Sequence, residues 1–256
     1  LTGMFAAIAI MATSIFLPDD LRMVAWGLLV VGWVTGMAFY EGRLVDDGGE
    51  DYRLAPTESL IERFGLFTII VLGEVVVGVV NGISDSDRTP MAVTTGMLAM
   101  VLGFAFWWSY FDYVGGRRTA ERTGAFFHWG LGHLPATMGI AAAGAATVPL
   151  IEHHGDARSP EGAAWLLAGS VAVALVSLVS IMPSLKDWGA FPSVFRPTSI
   201  AVTAAAAGSI AIGLIRPSPW LMILLLSLLL SATWGFWVAR WMSSREPGEM
   251  IPAFWD

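Results

Sequence analysis

Residues 64–83 read Phe64-Gly65-Leu66-Phe67-Thr68-Ile69-Ile70-Val71-Leu72-Gly73-Glu74-Val75-Val76-Val77-Gly78-Val79-Val80-Asn81-Gly82-Ile83, with Glu74 as the single ionisable group. An α-helix needs roughly 20 apolar residues to cross the hydrocarbon core of a bilayer, so this run predicts a membrane span. Working outward, apolar segments cover about 1–17, 21–40, 60–83, 91–114, 124–150, 163–183, 194–215 and 219–241. Turn and charge signals separate them, among them Pro18-Asp19-Asp20, Asp46-Asp47-Gly48-Gly49, Gly115-Gly116-Arg117-Arg118 and Arg216-Pro217-Ser218-Pro219. The fold expected is all-α: a polytopic transmembrane helix bundle of about eight helices, forming a single transmembrane domain over 1–256.

Composition leads the same way. The 256 residues are 55% hydrophobic and 14% charged, against about 25% charged in soluble domains; the mean hydropathy is +0.66. The net charge of -7 resides mainly in loops and there is no long Lys/Arg tract, so no nucleic-acid partner is expected. The absence of Cys excludes disulfides, thiolate metal sites and thiol nucleophiles. Nothing reads as a phosphate-binding glycine loop, a nucleophile elbow or a dinucleotide fingerprint, so the chain is not expected to be an enzyme or to hold a cofactor. The loop Glu152-His153-His154-Gly155-Asp156 has metal-ligating residue types, yet without groups to orient them it reads as a solvated turn, and no metal is expected. Residue 1 is Leu rather than Met, so the natural N terminus is expected upstream.

Basic residues orient the bundle, because positively charged loops stay in the cytoplasm. If the segments alternate, one side holds Arg43, Arg53, Arg63, Arg117, Arg118, Arg122, Lys186, Arg196, Arg240 and Arg245, and the other Arg22, Arg88, Arg158 and Arg216. Ten of the 14 Lys and Arg residues on one side place the 41–59, 115–122 and 184–194 loops and both observed ends in the cytoplasm. The stretches Gly139 to Ala146 and Thr203 to Ser209 are rich in small residues and suit close helix contact.

Ionisable groups at membrane depth usually face a bundle interior or a wet cavity, and few exist here. At about 100° per residue, Arg63, Glu74 and Asn81 fall within about 20° of one another on a single stripe, with Arg63 and Glu74 about 16 Å apart along the axis. Such a stripe suggests a lined pathway; the alternative is a structural Glu bonded to a neighbouring helix. Counted from their segment starts, Glu74 and His133 share a depth, while Asp112 and His128 form a shallower layer near the cytoplasmic edge. Glu74 is therefore expected to face other helices with His133 as its first partner, and Asp112 to approach His128 or an interfacial arginine. Glu58 and Glu62 are expected to pair with Arg63 or other basic groups at the membrane edge.

Three pieces resemble the bacterial low temperature requirement A (LtrA) family: Ile61-Glu62-Arg63-Phe64-Gly65-Leu66-Phe67-Thr68-Ile69-Ile70-Val71-Leu72-Gly73-Glu74, then Phe106-Trp107-Trp108-Ser109-Tyr110-Phe111-Asp112, then His133-Leu134-Pro135 with Gly139-Ile140. The first is long and specific. The likeness is good over about 55–145 and rests on hydropathy elsewhere. It implies a multi-helix bacterial membrane protein with Glu62, Arg63, Glu74, Asp112 and His133 as recurring polar positions, but supplies no substrate. It also implies a preceding acidic-aromatic helix that this chain lacks, so the N-terminal part of the family fold is expected to be missing.

The leading functional expectation is transport or permeation of a proton, ion or small solute across the cell inner membrane. Its polar core would comprise Glu74, His133, Arg63, Glu62, Asp112, His128 and Asn81. The alternative is a non-transporting accessory or structural subunit of a larger membrane complex. Expected partners are membrane lipids, with other membrane subunits or a homo-oligomer left open.

Overall fold

A computed structural model describes residues 9–18, 21–22, 24–29, 32, 35–36, 55–121 and 124–244. The chain divides into two compact units, Leu1–Arg53 and Leu54–Asp256. In the first, residues 9–14 and 24–29 are helical, and the Trp26 indole N–H donates to Ser14 Oγ at 2.8 Å. The two segments expected at 1–17 and 21–40, and the 41–59 loop, fall largely outside the described residues.

The second unit is all-helical among the described residues. We label its helices α1 (Glu58–Asp85), α2 (Pro90–Tyr113), α3 (Ala125–Glu152), α4 (Glu161–Ile181), α5 (Lys186–Ala190), α6 (Pro192–Ile215) and α7 (Pro219–Ser243). All but the short α5 are long and apolar enough to cross a membrane, six candidate spans among the described residues. They coincide with the last six apolar segments of the sequence.

Local chemistry sets the ends. Thr57 and Thr89 cap α1 and α2, their hydroxyls accepting from the Leu60 and Ala92 amides at 3.2 and 3.1 Å. Pro90, Pro192 and Pro219 open their helices, where a missing N–H costs nothing. After Ile181 the chain tightens into a 3₁₀ turn, Met182–Ser184, around Pro183, which cannot donate a helical hydrogen bond.

Packing neighbours run α1–α2–α7–α6–α4–α3 and back to α1, a closed ring of six helices. Trp129, Trp237, Tyr110, Tyr113, Phe106 and Phe195 are among its largest fully buried side chains. The small residues of α3 work as expected. A Cβ on Gly139 would lie 2.8 Å from the Ser170 carbonyl oxygen of α4, and one on Gly144 would lie 2.7 Å from the Glu74 carbonyl carbon of α1. In the Thr203 to Ser209 stretch, Ala205, Ala206 and Ser209 are buried, and Ser209 Oγ donates across to the Ala168 carbonyl at 3.2 Å.

The loops at each end are tied together. At one end the Ala120 amide donates to Ser184 and the Lys186 amide to Arg118, at 2.8 and 3.0 Å, making an isolated bridge between Thr119 and Leu185. Arg118 also pairs with Glu58 there. At the other, Arg216 pairs with Glu161 at 2.9 Å and donates to the Ser159 carbonyl at 3.0 Å.

Candidate functional site

α1 carries two stripes. Ile61, Gly65, Thr68, Val75 and Val79 are buried against the bundle. Arg63, Phe67, Ile70, Glu74, Val77 and Asn81 are all exposed. The shared polar stripe expected from spacing therefore exists, but it lies on the outside of the ring. No described residue bonds to the Glu74 side chain, and Glu62 beside Arg63 is likewise exposed.

The expected Glu74–His133 contact does not form, for two reasons. Thr68 and Glu74 are six residues apart, about 120° around the helix, so the turn that buries Thr68 sends Glu74 outward. Depth also differs. α1 and α3 run parallel, with Glu74 beside Gly144 and Phe64 beside His133, ring centroids 4.7 Å apart. Eleven residues separate His133 from Gly144, about 16 Å of rise. Counting from the charge-free run misplaced the level because α1 starts earlier, at Glu58.

His133 has other partners. Its Nδ1 lies 2.7 Å from the Trp129 carbonyl and its Nε2 lies 3.1 Å from the Tyr110 hydroxyl. A carbonyl only accepts, so Nδ1 carries the hydrogen, and in the neutral ring Nε2 accepts from Tyr110. The Tyr110 hydroxyl also interacts with Thr68, whose own hydroxyl donates to the Phe64 carbonyl at 2.9 Å. All three side chains are buried, at 2%, 1% and 0% exposure, and they join α3, α2 and α1. Phe64 and Trp129 wall the imidazole, both with centroids 4.7 Å away. Tyr110 and Thr68 lie inside the two motifs singled out in the sequence; a search for ionisable groups passes over them because both are neutral.

Asp112 and His128 do not meet either. The Trp234 indole N–H donates to the Asp112 carboxylate, while His128 Nε2 lies 2.7 Å from the Ser180 carbonyl. Arg117 reaches Asp112 at its backbone carbonyl, 2.6 Å from Nη2. The guanidinium pairs with Asp187 and lies 5.3, 5.8 and 5.6 Å from the ring centroids of Phe195, Trp237 and Trp241. Arg122 lies outside the described residues. Of the outer-loop residues, His154 Nε2 bonds to Thr89 Oγ1 at 2.7 Å, linking two turns. A cavity of about 270 Å³ between α1 and α2, lined by Leu72, Val75, Met100, Phe104, Trp107 and Trp108, is apolar and includes neither Glu74 nor His133 in its wall.

The arrangement thus offers a buried imidazole–phenol hydrogen bond between α3 and α2 and, separately, an outward stripe centred on a carboxylate. An acidic residue near the middle of a span is disfavoured by about 2.5–3.5 kcal/mol on insertion scales, so the outward stripe calls for a polar neighbour. No curated protein and no solved structure matches the chain. The family model for the bacterial low temperature requirement A protein (LtrA) matches residues 1–238, well beyond the 55–145 over which the motifs alone carry a likeness. The chain belongs to the LtrA family.

Proposed function

We infer that this protein mediates transport or permeation of a proton, ion or small solute across the bacterial inner membrane, along the outer face of α1. The observation that carries this reading is the file Arg63, Glu74, Asn81, which runs most of the length of a spanning helix on one exposed face. Ionisable groups within membrane segments are found along ion pathways and proton relays. The buried hydrogen bond between His133 and Tyr110 supports protons among the candidate cargoes. The cluster of Arg117, Arg118 and Lys186 at one end supports a cytoplasmic assignment for that end. Flux through purified protein in liposomes under an imposed pH gradient tests the reading, comparing wild type with Glu74→Gln. Loss of flux in the variant is expected; equal flux in both overturns the assignment of Glu74.

The second reading is a non-transporting accessory or structural subunit. It is favoured by the enclosure of His133, bonded at both ring nitrogens, as expected of a helix lock. Absence of any flux in wild type, together with destabilisation on replacing His133, would favour it.

A further inference from the structure

The junction of α6 and α7 carries positive charge that no described carboxylate balances. Neither helix contains an Asp or Glu, and Asp187 in the preceding α5 is engaged by Arg117. Arg196 and Arg240 are both exposed, and no described carboxylate pairs with either. One follows the start of α6 and the other precedes the end of α7, so both sit about 5–6 Å inside the same edge of the bundle. The Arg240 guanidinium donates through Nε and Nη2 to the Ser193 carbonyl, at 3.3 and 2.8 Å. Long helical side chains lean toward the N terminus of their helix, so Arg196 leans toward the Ser193 turn and the two guanidinium groups share one corner. Below Arg196 a groove of about 410 Å³ runs along the outside of α6, lined by Ser199, Ile200, Thr203, Ala204 and Ala207. At about 100° per residue, Ile200, Thr203 and Ala207 fall within about 40° of the Arg196 direction. The Ser199 and Thr203 hydroxyls are spent on their own helix, donating to the Arg196 and Ser199 carbonyls at 2.8 and 2.7 Å. The groove therefore presents apolar surface beneath a doubly charged rim.

We propose that this corner binds one anionic glycerophospholipid of the adjoining leaflet, its phosphodiester held by Arg196 and Arg240 and one acyl chain laid along α6 as far as Ala207. Guanidinium groups match phosphate oxygens in a planar, two-bond geometry, and basic pockets between spanning helices suit anionic head groups. The length of the groove fits the tail. Eleven residues from Arg196 to Ala207 rise about 16 Å, half of a hydrocarbon core about 30 Å thick, which is one leaflet. A free phosphate would leave the groove unfilled. An apolar helix lying there would leave both guanidinium charges unbalanced. A zwitterionic lipid brings its own cation against the two arginines, so a net negative head group is preferred. The site stands on the charge and shape of this corner, not on the transport reading.

Native mass spectrometry of the full-length chain in detergent, titrated with defined lipids, tests the site. Dioleoyl phosphatidylglycerol is expected to bind about tenfold more tightly than dioleoyl phosphatidylcholine, and Arg196→Gln to weaken the anionic lipid about fivefold, the increment of one basic residue at a membrane surface. Arg196 is exposed, so the lipid-free variant should unfold at the wild-type temperature. Lys186→Gln removes another exposed charge at the same end, off the groove, and should leave the affinity unchanged. Ala207→Phe fills the lower groove and should weaken the dioleoyl lipid but not dihexanoyl phosphatidylglycerol, whose chains are too short to reach that depth. Equal affinity for the anionic and zwitterionic lipids, or equal losses in Arg196→Gln and Lys186→Gln, overturns the proposal. Indifference of the dioleoyl lipid to Ala207→Phe overturns the groove, and competition by glycerol phosphate as strong as by the whole lipid would reduce the site to a phosphate contact and overturn it too.

Discussion

At the residue scale, the hydrogen bond between His133 and Tyr110 is the feature whose energetics are most exposed to test. Tyr110→Phe removes the hydroxyl that meets Nε2 at 3.1 Å and leaves a buried ring nitrogen without a partner. Interhelical hydrogen bonds in membranes average about 0.6 kcal/mol, while stranding a buried acceptor costs about 1–3 kcal/mol. We expect Tyr110→Phe to lower stability by about 1 kcal/mol, measured by thermal unfolding in detergent. His133→Phe in the Tyr110→Phe background should cost less than in wild type, because the coupled bond is already gone; strict additivity would show that the two side chains do not act together. His133 was legible in the sequence as a polar group at membrane depth. Its partners were not, because hydroxyls are cheap enough in apolar helices to attract no notice and their pairing depends on the register between helices.

At the element scale, register is decided by where backbones can touch. Gly144 of α3 rests on the Glu74 and Val75 backbone of α1, and this contact sets the relative depth of the two helices. Gly144→Ala should therefore force them apart and cost about 1–3 kcal/mol by overpacking. Gly73→Ala, with nothing within 4 Å of its added methyl, should be neutral or mildly stabilising through better helix propensity. Comparable losses in both, read by the same unfolding assay, would remove the register argument. The spans themselves were legible, since length and hydropathy suffice for α1, α2, α3, α4, α6 and α7. The pairing of polar groups between spans was not: the outward turn of Glu74 follows from which face of α1 bears Gly65, Thr68 and Gly78, and a periodic helix has two candidate faces until a neighbour chooses one.

At the scale of the whole molecule, the two tied loop ends make a topology that labelling can read. Lys186 and Asp156 are exposed and sit at opposite ends of the second unit. In the Cys-free chain, Asp156→Cys should react with an impermeant reagent added outside intact cells, and Lys186→Cys only after the membrane is opened. The reverse pattern would invert the orientation derived from the arginines. The ring also has a consequence for biogenesis. Its closing neighbours, α2 and α7, lie far apart along the chain, joined through Ser227 to the Leu98 carbonyl at 3.3 Å and through Trp234 to Asp112. During synthesis the face of α2 that meets α7 must wait in the bilayer while α3, α4 and α6 emerge, sheltered by lipid or by the insertion machinery. Of the six helices of the ring, α7 is made last and is the keystone, and a chain released before residue 219 would be an open arc that quality-control proteases should recognise.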